Sequence, residues 1–420
     1  LAFGQRIAEI VPFVMKLKGY QALTPRKDIV QEVASLPYDV VSTKEARQLT
    51  EGKPYSMLRV VRAEVWFPEP VSPYEDRVYN KAVEQFQKMQ QDGVLVRREQ
   101  NELFLYRQIW NGHRQRGLTG LCHVQDYETD VIKKHEKTRQ DKEDDRTRLI
   151  RETRAQQGPV FLTYRDRSEI TLRMDEVEAN DTPLFDYTAE DGIRHTVWAL
   201  SDVDFWVNAF AKIDVAYVAD GHHRSASAVR VARELRDANP NHTGNEDYNW
   251  FLSVLFPASE LRILPYHRLI LDWGNSSSEK LQQILETKFG GVRTEAFIPE
   301  EKGVAGAYFN GQWWKFKLPG ASKSTPAEEL EASRLYEHLL APVFSIGDPR
   351  TDQRISFVGG IRGIPGLTGP VDQGDAVVAF ALPAVTLDDL MSIADAGEIM
   401  PPKTTWFEPK LRSGLFMHTF

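Results

Sequence analysis

Apolar and polar positions change period several times along the chain, and each change marks an element. Leu103–Trp110 alternates and runs into Asn111-Gly112, a hairpin dipeptide, so Gly117–Val124 is predicted as the returning strand. Ala82, Val83, Phe86 and Met89 recur at helical spacing within Tyr79–Asp92, and Gly93 closes that helix. Before it, Pro37–Ser42 reads as a turn into a polar helix capped by Ser42 or Thr43, with Glu45 in its first turn, and Ser56–Val61 reads as a short strand. Pro159–Tyr164 and Val215–Ala219 are apolar runs that predict buried strands. The second ends at Asp220, and a helix with Ala228, Ala232 and Leu235 on one face is expected from Ser225. Trp250–Phe256 and Leu261–Leu271 read as two strands joined by a short polar turn. Beyond them come helix Glu279–Phe289, strands Val304–Phe309 and Gln312–Leu318, helix Ala327–Leu339 and a last strand, Ala376–Ala381. Lys133–Arg154 is a densely charged helix whose only large apolar residues are Leu149 and Ile150, so it buries little by itself.

These elements make an α+β class. We divide it into an N-terminal α/β region (1–110), a central region with a mixed sheet (111–274) and a C-terminal α+β region (275–420). A chain of 420 residues has room for two or three domains. The 41% apolar and 27% charged residues are an ordinary globular balance. A net charge of −8 is the wrong sign for a protein whose main partner is a phosphate backbone, so nucleic acid is not the expected partner. The single cysteine, Cys122, excludes a disulfide framework and a cysteine-rich zinc site, and its strand setting predicts a buried, inert thiol. No stretch is long and apolar enough for a membrane span, and the first residues lack the pattern of a secretory leader, so the expected location is cytoplasmic.

The strand–Asp220-Gly221-His222-His223-Arg224–helix junction carries the most chemistry. Glycine lets the backbone turn sharply, the helix start presents unpaired N–H groups and a positive dipole end, and Arg224 adds a planar fork for phosphate oxygens. Ser225 and Ser227 add hydroxyls in the first turn. The competing reading is an ordinary helix start with Asp220 as cap. His135-Glu136-Lys137-Thr138 is the second cluster: its carboxylate suits a general base, though Thr138 with Asp141 also fits a capping box. The run Lys142–Arg148 reads as a solvated face. His195, in Asp191–His195, and His267, in Pro265–Arg268, are further candidates, and Met400–Lys410 suits a loop covering a site. No metal-ligand set, Walker motif, dinucleotide fingerprint or nucleophile elbow occurs.

PYDVVS, IKKHEKTR with KEDDR, GPVFLTYRD, YVADGHHRSASA, ILPYHRLI and MPPKTTWFEPKLRSGLFMH, in this order, resemble the domain-of-unknown-function 1015 family. Over roughly the central third, the succession of an HE pair, a polar helix, a GP-strand and a strand ending in DGHHR is similar to the free-serine kinases built on the ParB/sulfiredoxin-like fold. That resemblance implies a central ParB/sulfiredoxin-like domain and transfer of phosphate from ATP or ADP, with Mg²⁺, to a small hydroxylated metabolite, free L-serine first. It implies Glu136 as base and Asp220, Gly221, His222, His223 and Arg224 at the nucleotide phosphates; His223 is also a candidate catalytic residue, and Ser225 a further phosphate-side candidate. His135, Thr138, His195 and His267 are expected on the substrate side. The alternatives are a ParB-like nucleotide switch or hydrolase, or a noncatalytic binder of a phosphorylated ligand. The sulfiredoxins' cysteine has no counterpart here, which speaks against a peroxiredoxin-repair role.

Overall fold

A hairpin seeds the largest sheet. Asn111 and Gly112 both take positive φ (47° and 76°), the twist that joins two strands without splaying them. In the computed structural model, which describes residues 14–420, nine strands form this sheet. They are β1 (Leu17–Lys18), β2 (Leu103–Trp110), β3 (His113–His123), β4 (Ile132–Lys133), β5 (Val160–Tyr164), β6 (Phe185–Thr188), β7 (Arg194–Leu200), β8 (Ala216–Asp220) and β9 (Trp250–Pro257). Their order is β4-β8-β5-β9-β3-β2-β7-β6, with β1 against β3. The β4–β8 and β5–β9 pairs are parallel and the other pairs antiparallel, so the sheet is mixed as expected. β5 is buried at every position, which explains its unbroken apolar run.

The accompanying helices include α1 (Thr43–Thr50), α2 (Asp76–Gln91), α3 (Gln140–Thr153), α4 (Ser168–Asn180), α5 (Val203–Phe210) and α6 (His222–Ala238). Ser42 and Glu45 close a reciprocal capping box on α1. Ile170 and Met174 of α4, Trp206 and Phe210 of α5, and Ala228, Val229 and Ala232 of α6 share one core with Leu162, Tyr164 and Val218 of the sheet. Leu235 is only half-buried. Cys122 lies in β3, fully buried, and burial pushes its thiol well above the ordinary value.

The described residues form two compact units: 14–133 with 138–260 and 409–420, and 134–137 with 261–408. In the second unit an all-antiparallel six-stranded sheet runs β11-β13-β12-β15-β10-β14. Here β10 is Tyr266–Ile270, β11 Val292–Thr294, β12 Val304–Phe309, β13 Gln312–Lys317, β14 Ile355–Gly359 and β15 Val378–Ala381. Helix α7 (Ser278–Lys288) buries Leu281 and Leu285 in a core with Trp314, Phe316, Leu339 and Phe380. Among the described residues no helix is long and apolar enough to cross a membrane.

Three expectations are corrected. Ser56–Val61 is not a strand: Leu58–Val61 is one helical turn, with Leu58, Val60 and Val61 buried and Arg59 donating to the Thr50 and Lys53 carbonyls. Leu261–Leu271 is not one strand: Ile263–Leu264 pairs with Trp406–Phe407, and Tyr266–Ile270 enters the six-stranded sheet. The helix expected from Ala327 begins at Glu331 and widens into a π-helical turn at Tyr336–Leu340.

Candidate functional site

The β8–α6 junction has the geometry its sequence predicts. β8 ends at Asp220, Gly221 follows at φ 90°, and α6 begins at His222, earlier than the expected Ser225. A bulge between Val218 and Asp220 shifts the register with β5 just before the turn. Gly221 is required twice over. Its φ lies where L-residues are strained, and an added Cβ would meet the Arg224 guanidinium, folded back over the turn, at 3.1 Å. No side chain caps α6. Asp220 is therefore not the cap; its Oδ1 accepts from its neighbour's amide, Gly221 N, at 2.7 Å.

Three basic side chains gather in this unit. Lys410 Nζ is 2.9 Å from Asp220 Oδ2. Burial by itself would raise the Asp220 carboxyl, but the Lys410 ammonium and the Arg224 guanidinium hold it well below the usual carboxylate range. Arg224 Nη1 donates to the Pro159 carbonyl, and its Nε is buried with no hydrogen-bond partner. Gly158 makes room for Ser413 instead, whose Oγ an added Cβ would meet at 2.8 Å. Arg146 and Arg224 line one small cavity with Tyr38, Gly158 and Ser413.

The two histidines of the junction differ, as their adjacency suggests. His222 is buried, and burial lowers its pKa to about 4 against the opposing pull of Asp220, so its imidazole is neutral at pH 7. His223 is half-buried, and its Nε2 accepts from Arg139 N at 3.0 Å, tying the start of α3 to α6. Ser225 Oγ turns back to the His222 carbonyl, and Ser227 Oγ donates to the Glu143 carbonyl, so both hydroxyls are used within the helix pair.

Other candidates lie elsewhere. His195 is buried in β7 between the rings of Tyr106 and Tyr187, with Nδ1 2.7 Å from Tyr106 Oη and Nε2 accepting from Arg412 Nε. Burial and Arg412 hold it neutral. Thr138 does not form the capping box; α3 starts after Arg139 without a side-chain cap, and Thr138 Oγ1 donates to Glu143. His135 and Glu136 belong to the second unit, where the His135 carbonyl accepts from Met400 N at 2.8 Å and Glu136 is half-buried. His267, also in that unit, accepts from Leu382 N at Nδ1, and burial lowers its pKa to about 4.

Sequence reasoning missed two parts of the site. Asp145 and Arg146, read as a solvated run, are 7% and 8% exposed. Their ion pair is 2.7 Å long, Tyr79 Oη donates to Asp145, and Arg146 lies 4.0 Å from the Tyr38 ring centroid. Lys410 was within a recognised motif but without a role. Gln108 and Gln115, opposite each other on β2 and β3, donate to the Lys410 and Pro409 carbonyls and set that lysine against Asp220.

A family model described as "Protein of unknown function (DUF1015)" matches residues 17–336. The chain belongs to that family. No curated protein matches it. Among solved structures, members of several kinds show a distant likeness. A free serine kinase in complex with AMP is 14% identical, covers 68% of this chain and 86% of its own, and has a TM-score of 0.35. A conserved hypothetical protein from Pyrococcus furiosus is 15% identical over 70% of this chain and 92% of its own, with a TM-score of 0.33. SbnI from Staphylococcus aureus, truncated at its C-terminus, is 13% identical over 70% and 85%, with a TM-score of 0.35. Likeness of this size identifies no activity in a DUF1015 protein, and the functional reading has to come from the site.

Proposed function

We propose that the β8–α6 junction binds nucleotide phosphates and that the protein transfers a phosphoryl group from ATP or ADP to a small hydroxylated metabolite, free L-serine first. The carrying observation is an uncapped start of a 17-residue helix with Arg224 in its first turn and Lys410 beside it. The positive end of the helix dipole and two cations favour one kind of ligand, a multiply charged oxyanion. In this reading the central region is a ParB/sulfiredoxin-like domain. Asp220, Gly221, His222 and Arg224 form the phosphate cradle, Ser225 braces the turn through its bond to the His222 carbonyl, and His223 sets the position of α3 against it.

The chemistry assigned is in-line transfer. Glu136 takes the acceptor's hydroxyl proton, the oxygen forms a bond to the terminal phosphorus, and the bond from that phosphorus to the leaving nucleotide breaks, releasing ADP from ATP or AMP from ADP. No group of three or more potential metal ligands occurs among the described residues. Mg²⁺ thus fits only as an ion carried largely by the phosphates, where it would offset their charge.

The test is incubation with ATP or ADP and L-serine, with O-phosphoserine read by mass spectrometry and nucleotide affinity by calorimetry. Glu136→Gln is expected to keep nucleotide affinity and lower turnover about 10²-fold. Arg224→Ala is expected to weaken nucleotide binding about 10-fold or more through loss of a charge-assisted contact. Normal turnover in the first variant removes the base assignment, and wild-type affinity in the second removes the phosphate assignment. Nucleotide hydrolysis that ignores the acceptor would replace the kinase reading with the switch or hydrolase.

A further inference from the structure

The second unit carries a half-open cavity of about 850 Å³. Its wall includes Arg268 of β10, Tyr336 and Leu340 of the π-helical turn, Glu328, Met400 and Pro402. The volume suits a small-molecule ligand, and π-turns recur where a helix has been adapted to a site.

Arg268 is the informative residue. It is 3% exposed, its Nη1 donates to the Tyr266 carbonyl at 2.8 Å and its Nη2 to the Pro402 carbonyl at 3.2 Å, and it lies 4.9 Å from the Phe357 ring centroid. No carboxylate of the described residues pairs with it. Burial lowers its pKa to about 10, which leaves it charged at neutral pH. A buried guanidinium facing only carbonyl dipoles and a ring is poorly compensated, and a fork of five N–H donors has capacity beyond two carbonyls. Glu328 adds an independent sign. Its side chain is 39% exposed and its Oε1 lies 3.6 Å from Lys323 Nζ, but its Oε2 is buried with no hydrogen-bond partner. One wall of the cavity therefore lacks an anion and another lacks a donor.

We propose that this cavity binds a small organic acid, with its carboxylate or phosphate on Arg268, its apolar body against Tyr336, Leu340 and Met400, and a hydroxyl or amine reaching Glu328. The site goes beyond the nucleotide reading and does not depend on it.

Calorimetry of the full chain with benzoate, phenyl phosphate and neutral benzamide tests the proposal. One or both acids should bind at least 10-fold more tightly than benzamide, and the two acids separate a carboxylate site from a phosphate site. Arg268→Met should erase that preference, since the apolar isostere removes the charge without leaving a buried ion alone. Ala327→Phe, which fills the cavity from its lining, should weaken the acids by 10-fold or more and carries the test if the arginine variant does not fold. Acid binding should survive Arg224→Ala. Equal affinity for benzamide, no saturable binding of either acid, binding that persists in both cavity variants, or loss of binding in Arg224→Ala would each overturn the proposal. The last outcome would place the acid in the nucleotide site.

Discussion

Replacing Lys410 with Met isolates the electrostatics of the β8–α6 junction. The substitution removes the ammonium 2.9 Å from Asp220 and keeps an apolar stem of similar length in a position that is 7% exposed. Removing one partner of a fully buried ion pair costs about 3–5 kcal/mol. Asp220 keeps the Gly221 N–H and the field of Arg224, and its side chain is 24% exposed. The loss is therefore set lower, at about 2 kcal/mol, which lowers the unfolding midpoint by roughly 4 °C or more at pH 7. The pH dependence supplies the sharper check. A carboxyl whose folded pKa is depressed stabilises the fold fully above its unfolded value of about 3.9. Below that value it loses about 1.4 kcal/mol per pH unit. In Lys410→Met burial regains influence and the folded pKa rises, so the gap between wild type and variant should be full at pH 7 and narrow below about pH 4. Calorimetric melting of both proteins across that range measures it. Asp220→Asn in the Lys410→Met background should recover part of the loss, because no charge is then left alone. A gap that is absent at pH 7, or constant down to pH 3, would show that Lys410 does not hold Asp220 ionised.

Gly221→Ala should cost about 1–2 kcal/mol, from a Cβ at positive φ, and displace Arg224 from the turn; a melting temperature and a nucleotide affinity both equal to wild type would contradict the required glycine. Cys122 should resist a thiol reagent in the native protein and react once in denaturant, because its thiol is buried and its pKa raised; rapid native modification would contradict the inert assignment.

Elements legible in the sequence are those whose pattern repeats their environment. β5 is apolar because all its positions are buried, α2 shows its buried face at helical spacing, and the Asn111-Gly112 turn specifies its own backbone. The elements between β5 and β8, which include α4, β6, β7 and α5, leave no such pattern in the sequence. Arg194–Leu200 explains why. His195 and Thr196 are buried polar residues in a strand, and their positions make sense only with partners remote in sequence, Tyr106, Arg107 and Arg412. A buried polar residue with distant partners looks, in one sequence, like a loop residue with a function.

The same limit divides the candidate site. Gly221 and the helix after it are local features, so Asp220–Arg224 could be placed from the chain alone. The cations around them are not local. Lys410 reaches Asp220 across 190 positions, and its backbone is set by Gln108 and Gln115, a cross-strand pair. Arg146 is concealed by composition: charge runs are ordinarily solvated, and nothing in KEDDR distinguishes the buried Asp145–Arg146 pair from the exposed Asp144, which pairs with Arg230. Burial makes the difference chemical. Exposed, Arg146 would be a solubilising charge; beside Tyr38 and held by Asp145 it is a fixed positive wall of the cavity it shares with Arg224. A sequence can thus announce a strand–glycine–helix turn while leaving unstated how much positive charge the fold brings to it.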